Sequence, residues 1–499
     1  MSDSVGQLSA DGRWRWDGVR WVPAGVRWDA ELPAFLRIRT RSTAGGRALV
    51  AMLVVGLLAD QALRSSGIGL AASLALAFSA GLLVAITPVD RLQPRLLAAA
   101  AVFFAAWLSL RASPWLVWPD LAACVLLLGT AASLSAGGSL FDLGLAEAGA
   151  RLLHGVLQAA AGFLYAAPPL AHTGRRSRRL LPVARGLLIA LPIGVLLAAL
   201  LAGADPIFAS FFQLNFDLGS LALDVFLVLA GALWMAGVLR LAASVPVDRV
   251  EPPAWRLGLV EGLTVLAVLD LVFAGFALAQ AVAVTTTNYA EYARSGFFEL
   301  LWASGITLLV LALFSRITAF HRRRARRAFI ALAELGIVLT LLVVVVAFRR
   351  LSLYEAAYGF TMLRLYSQAF AVLIGIVFLF LAAEVAGVGR GRRWFAGAAA
   401  VAALVCLAGL NLANPEALVV NWNLDRAATS GKLDVDYLAG LSADSRPDLL
   451  AGRGRVAPGL QAQITQAVCG QPPGAPRGWQ DWNLALSGAA AAGIASCSR

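Results

Sequence analysis

Apolar residues run through this chain in blocks of about 20, the length an α-helix needs to cross the hydrocarbon core of a bilayer. Blocks of this kind predict helices over 45–63, 68–86, 95–112, 115–135, 183–203, 218–240, 257–284, 297–317, 328–347, 361–386 and 393–412, about eleven spans. Arginine sorts the connections between them into two sets. One set holds Arg37, Arg39 and Arg41, then Arg91 and Arg95, then Arg175, Arg176, Arg178 and Arg179. It continues with Arg249 and Arg256, the cluster Arg322, Arg323, Arg324, Arg326 and Arg327, and finally Arg390, Arg392 and Arg393. The alternate connections are poor in arginine apart from Arg349 and Arg350. Basic residues are retained on the cytoplasmic side. The pattern therefore predicts a cytoplasmic N-terminus and, with an odd number of spans, an extracytoplasmic stretch 413–499. The block 146–172 contains Arg151, His154, Gln158, Tyr165 and Pro168-Pro169, with apolar positions at helical spacing. It predicts an amphipathic helix lying on the cytoplasmic interface.

Composition supports this reading. Of 499 residues, 60% are hydrophobic and 14% charged, where a soluble domain carries about 25% charged residues. The expected fold is an all-α polytopic bundle with the lipid bilayer as its solvent. The net charge of +12 is almost entirely arginine, and Lys432 is the only lysine. Clusters at helix ends need no nucleic-acid partner, although the cytoplasmic ones suit contact with anionic lipid head groups. No cleavable signal peptide is read, since the first apolar run follows a long arginine-rich polar segment.

Three regions follow: a cytoplasmic segment 1–44, the transmembrane domain 45–412, and a helical extracytoplasmic tail 413–499. In the first, Asp17-Gly18 suits a two-residue type I′ turn, which would pair Trp16 with Val19 and Trp14 with Trp21 in a small hairpin. In the tail, Pro415 starts one helix, Ser430-Gly431 ends it, and Leu433 to Leu441 has the periodicity of a second. Cys469 and Cys497 both lie in this tail. An oxidising compartment would allow them to pair, closing a loop worth about 3 kcal/mol in the chain-entropy model.

Motifs of soluble enzymes are missing: there is no P-loop and no His-Glu-x-x-His, and His154, His172 and His321 are far apart. No catalytic set, metal site or cofactor is predicted. Acids inside spans are the default functional candidates in a membrane protein. Asp270 lies deepest, too short to reach the head groups, and is expected to face the bundle interior protonated, hydrogen-bonded or hydrated. Asp224, Glu261 and Glu334 lie nearer the span ends, where reaching out or pairing with loop arginines competes with a role in a path. Gly258-x-x-x-Gly262 permits close helix approach.

A second candidate site gathers on the outer face, from Tyr289, Glu291, Tyr292, Glu299, Arg350, Tyr354, Glu355, Tyr358 and Arg364. It is either an arginine–tyrosine site for a polar or anionic ligand, or a salt-bridge network docking the tail. The segments that carry it, 289–300 and 353–366, together with 414–444 and Ala204-Asp205-Pro-Ile-Phe208, resemble a bacterial multi-pass membrane family, the domain of unknown function numbered 4173. The N-terminal Trp-Asp-Gly-x-x-Trp unit is similar to segments appended to many membrane proteins of high-GC Gram-positive bacteria. The family resemblance implies no activity. The leading functional expectation is a transporter-like protein of the cytoplasmic membrane for a small solute, ion or lipid, with Asp270 and Asp224 in its path. The alternative is a sensor or assembly scaffold that binds an envelope protein or a small ligand on its outer face.

Overall fold

The computed structural model describes residues 14–16, 21–23, 36, 40–87, 91–142, 144–166, 218–245, 258–286, 297–318, 323–389, 394–470 and 474–497. Numbered over these residues, the bundle helices of the first half are α1 (Gly46–Arg64), α2 (Leu70–Ile86), α3 (Leu92–Leu110), α4 (Pro114–Ala136), α5 (Leu145–Ala160) and α6 (Leu218–Ala242). The second half holds α7 (Leu259–Thr286), α8 (Phe297–Ile317), α9 (Arg323–Tyr358), α10 (Met362–Ala386) and α11 (Phe395–Ala413). The C-terminal helices are α12 (Pro415–Ser430), α13 (Val435–Ala439), α14 (Arg446–Gly452), α15 (Pro458–Gly470) and α16 (Leu484–Cys497). Among the described residues, eight helices are long and apolar enough to cross a membrane, and α2 is a shorter apolar helix of 17 residues. These helices mark a multi-pass membrane protein. The block 183–203 lies outside the described residues.

The two halves have separate cores. Met52, Val55, Leu83, Met235 and Leu239 centre one cluster of the first half, and Phe104, Cys124 and Leu128 another. Leu266, Leu311, Ile337, Ile374 and Phe378 centre the second half. Helix α11 lies between them, touching both α4 and α10. In lipid, where apolar surface gains little by being buried, small residues set how closely helices approach. Here α1 and α6 cross at Gly56 and Gly231. A Cβ at Gly56 would lie 2.5 Å from the Val228 carbonyl oxygen, and one at Gly231 would overlap Ala59.

Hydrogen bonds place the helix ends at two opposite ends of the bundle. The end of α3, the starts of α4 and α10, and the ends of α9 and α11 meet the C-terminal helices, as does the α1–α2 connection. At the opposite end Arg41 donates to the Ala136 and Arg91 to the Gly138 carbonyl, while Glu384 at the end of α10 accepts the Phe395 N–H of α11. The helix ends flanking the arginine-rich stretches belong to this opposite end. Arg64 and Arg111, by contrast, sit at the C-terminal-domain end, where carboxylates hold both.

Helix α5 covers most of the block 146–172. Its polar side faces protein: His154 lies 3.3 Å from Ser244, and Arg240 donates to Gln158 at 2.8 Å. Its apolar side, with Leu152, Val156 and then Phe163, is exposed. Arg151 near its start bonds Ser133, and the Tyr165 carbonyl just beyond its end accepts the Ala44 N–H, so both ends stay at the arginine-rich end of the bundle. Burial holds the Arg151 guanidinium below its usual range.

The N-terminal pairing is antiparallel between β1 (Trp14–Trp16) and β2 (Trp21–Pro23), with Trp16 opposite Trp21 and Trp14 opposite Pro23. This corrects the two-residue turn expected at Asp17-Gly18: four positions, 17–20, separate the strands.

The C-terminal helices pack around Val419, Val420, Leu424, Leu438, Leu449 and Ile464, and Met362 and Leu365 of α10 enter the same core. A disulfide joins Cys469 of α15 to Cys497 of α16.

Crowding at the α1–α6 crossing has a direct consequence. Gly231→Val should cost about 1–3 kcal/mol through forced separation of the two helices, read as a lower melting temperature in detergent, whereas Gly81→Val, with open space around it, should not.

Candidate functional site: the seam between bundle and C-terminal helices

Helix α3 ends at Leu110 and α4 begins three residues later with Pro114, which supplies a preset φ and no N–H. The turn between them leaves the N–H groups of Ala112 and Ser113 without helical acceptors. Both donate to one oxygen of Asp444, Oδ2, at 2.7 and 2.6 Å. Asp444 comes from the loop between α13 and α14, and its other oxygen pairs with Arg111 at 3.5 Å. The same guanidinium donates from Nε and Nη2 to the Asn411 carbonyl in the last turn of α11, at 3.1 and 2.8 Å. One charge pair, its carboxylate buried and its guanidinium partly exposed, thus ties the α3–α4 turn, the end of α11 and the C-terminal helices together.

Deeper in, the Asn411 amide donates to Asp120 Oδ1 of α4 at 2.7 Å. Asp120 and Asn411 are both fully buried, and Asp120 Oδ2 and Asn411 Oδ1 have no hydrogen-bond partner. On the C-terminal side Glu416 Oε2 accepts from the Ser442 N–H and hydroxyl at 2.8 and 2.7 Å. Burial pushes the Glu416 carboxyl above its usual range, with the Asp444 charge adding to it and the Ser442 bonds opposing. Asn414, at a positive φ of 49°, donates to the Asp444 carbonyl at 3.1 Å, and its side chain accepts from Ala417 to cap α12.

Further bonds extend the seam. Tyr366 of α10 donates its hydroxyl to the Trp115 carbonyl at 2.6 Å, with the two rings 5.1 Å apart. Asn423 both accepts from and donates to the Phe360 backbone, at 3.0 and 2.8 Å. Tyr437 accepts the Met362 N–H at 2.8 Å. Beside α1, Asp481 accepts from Ser66 and from the Arg477 and Gly478 N–H groups, and these two backbone bonds hold its carboxyl below the usual range. Asn483 donates to the Leu108 and Arg111 carbonyls at 3.2 and 2.8 Å.

The residues expected from sequence are distributed differently. Asp270 is 5% exposed, both its carboxyl oxygens are buried without a partner, and a Cβ at Gly336 of α9 would stand 2.8 Å from one of them. Asp224 is held by Arg64, which also bonds Asp60 at 3.1 Å. Glu261 accepts the Gly258 N–H at 2.8 Å at the start of α7, and Gly262 packs against Thr318. Glu334 is half-buried with Oε1 unpartnered. Tyr354, Glu355, Tyr358 and Arg364 come together where α9 turns into α10. Arg364 lies 4.3 Å over the Tyr354 ring, the Tyr354 and Tyr358 rings are 4.7 Å apart, and Gln368 donates to Glu355. Arg350 instead bonds Gln280 of α7 at 2.6 Å, and Glu299 stands in the first turn of α8. Tyr289, Glu291 and Tyr292 lie outside the described residues. Among the described residues, no group of three or more His, Cys, Asp or Glu side chains is placed to hold a metal ion.

The matching family model spans residues 98–452 and is described as Domain of unknown function (DUF4153). The chain belongs to this family. DUF4153 replaces the family numbered 4173 suggested by the outer segments. The matched region runs from α3 through α14 and contains Arg111, Asp120, Asn411, Glu416 and Asp444 of the seam. It leaves out α1, α2 and the disulfide-linked α15 and α16. No curated protein and no solved structure matches the chain.

Two outcomes follow from the seam. Asp444→Ala leaves the Ala112 and Ser113 N–H groups without their acceptor, and stranding buried donors costs about 1–3 kcal/mol each; limited proteolysis should release the C-terminal helices from the variant faster than from the native protein. Glu416 has a folded pKa above its ordinary 4.5, so its contribution is complete below that value and is lost as pH rises through the folded one. Glu416→Gln keeps an acceptor for Ser442 without the charge. The variant should lack this loss in melting curves taken from acid to neutral pH.

Proposed function

We propose that this protein is a membrane-anchored receptor or assembly scaffold, whose C-terminal helical domain presents a binding surface on the extracytoplasmic side. The observation that carries this reading is the seam. A domain joined to both halves of the bundle through buried, hydrogen-bonded charges is held in a fixed pose, as presentation of a binding surface requires. Retention of arginine on the cytoplasmic side orients the arginine-rich end and the N-terminal hairpin inward. The C-terminal domain then lies outside, where a Cys469–Cys497 disulfide persists. The arginine-rich end would rest against anionic head groups.

Asp270 supports a second reading, a transporter-like path for a proton or small cation. It is an acid deep in the bundle whose charge finds no counter-charge among the described residues, and such groups mark ion pathways.

Thiol labelling separates the two. With Cys124 and Cys406 replaced and the Cys469–Cys497 pair kept oxidised, Asp270→Cys should resist a small membrane-impermeant reagent applied from either side in a folded protein. Labelling that a prior aqueous thiol reagent blocks would reveal a hydrated path and sink the receptor reading in favour of transport.

A further inference from the structure

Resting on the receptor reading, we propose that a groove between the end of α9 and the C-terminal helices binds an uncharged or zwitterionic oligosaccharide. The groove encloses about 1150 Å³. The end of α9 forms one wall with Tyr358, the α12–α13 turn forms the second, and α15 forms the third. An open groove of this size has room for several linked units of a chain.

The lining sets the chemistry. Arg426 and Lys432 are balanced by Asp434 and Asp436, all four lining the groove, so it is no trap for a polyanion. Arg426 is committed to the Ala356 and Ala357 carbonyls, at 3.3 and 2.8 Å, and Asp434 caps α13 through the Tyr437 N–H at 3.0 Å. Lys432, Asp436 and the carboxamides of Gln463 and Gln466 complete the polar lining. A carboxamide donates and accepts at once, as a sugar hydroxyl does, while a carboxylate accepts from hydroxyls and an ammonium donates to them. Tyr358 is 59% exposed. Its ring rests on Tyr354, itself beneath Arg364. A fixed, open aromatic face of this kind suits the apolar C–H face of a pyranose.

A peptide fits less well. The walls are helices and a turn, offering no strand edge for backbone pairing, and the lining is too polar to seat the apolar side of a helix. The wall formed by α15 is also held in place, since Cys469 beside Gly470 is bonded to α16.

The test uses full-length, fluorescently labelled protein in nanodiscs on an array of short neutral, zwitterionic and anionic oligosaccharides, with short peptides alongside. The expected result is binding to at least one neutral or zwitterionic oligosaccharide. Tyr358→Ala and, separately, Asp436→Asn should then each weaken binding by roughly tenfold, about 1.4 kcal/mol, with melting temperatures unchanged. Absence of binding to every neutral and zwitterionic oligosaccharide, whether or not anionic ones bind, would overturn the proposal. So would binding that both variants retain in full. Binding of a peptide alone, lost in Tyr358→Ala, would overturn the oligosaccharide assignment and leave the receptor reading standing, whereas a hydrated Asp270 counts against the receptor reading itself.

Discussion

A turn between two membrane helices leaves backbone N–H groups that must find acceptors wherever water is excluded. At the α3–α4 turn that acceptor is a single carboxylate, Asp444, contributed from far along the chain. This requirement organises the rest of the C-terminal end. Arg111 neutralises the carboxylate and in the same step fixes the end of α11. Asn411 then reaches Asp120 of α4, and α12 leaves the bundle in one direction only. The C-terminal helices could not be lifted away without uncovering the same donors that brought them there.

The bundle shows how two kinds of force divide the work. Apolar side chains, many of them exposed to what would be lipid, give the helices their environment without dictating who touches whom. Pairing is decided by small residues and polar bonds: Gly56 against Val228 and Gly231 against Ala59 in one half, and the Asp120–Asn411 bond between α4 and α11. Helix α5 follows the same logic, turning His154 and Gln158 toward α6 and leaving leucine, valine and phenylalanine outward.

The long apolar helices were legible because hydrocarbon thickness imposes a length on apolar runs, and eight of the described ones reach it, where about eleven spans were expected. Caps were legible too: Pro415 starts α12 and Gly431 ends it. The seam was not, because its partners are distant in sequence. Asn411 and Asp120 are separated by 291 positions, Ser113 and Asp444 by 331. Asp444 reads locally as a capping residue, and Asp224 as a lone intramembrane acid, because Arg64 is nowhere near it in the chain. The one local hint was Asp120, an acid just inside an apolar run with no basic residue a turn away. The hairpin register was misread because the Asp-Gly dipeptide signals a tight turn, while the pairing of Trp16 with Trp21 spans a longer one.

Helix α9 contains 36 residues and no proline, which at 1.5 Å per residue makes it about 54 Å long, nearly twice the hydrocarbon thickness of about 30 Å. It begins among arginines at one end of the bundle and finishes as a wall of the groove at the other. The same unbroken backbone therefore carries Arg324, Arg326 and Arg327 at one end of the bundle and Tyr358 at the other, so the two ends share a single structural member.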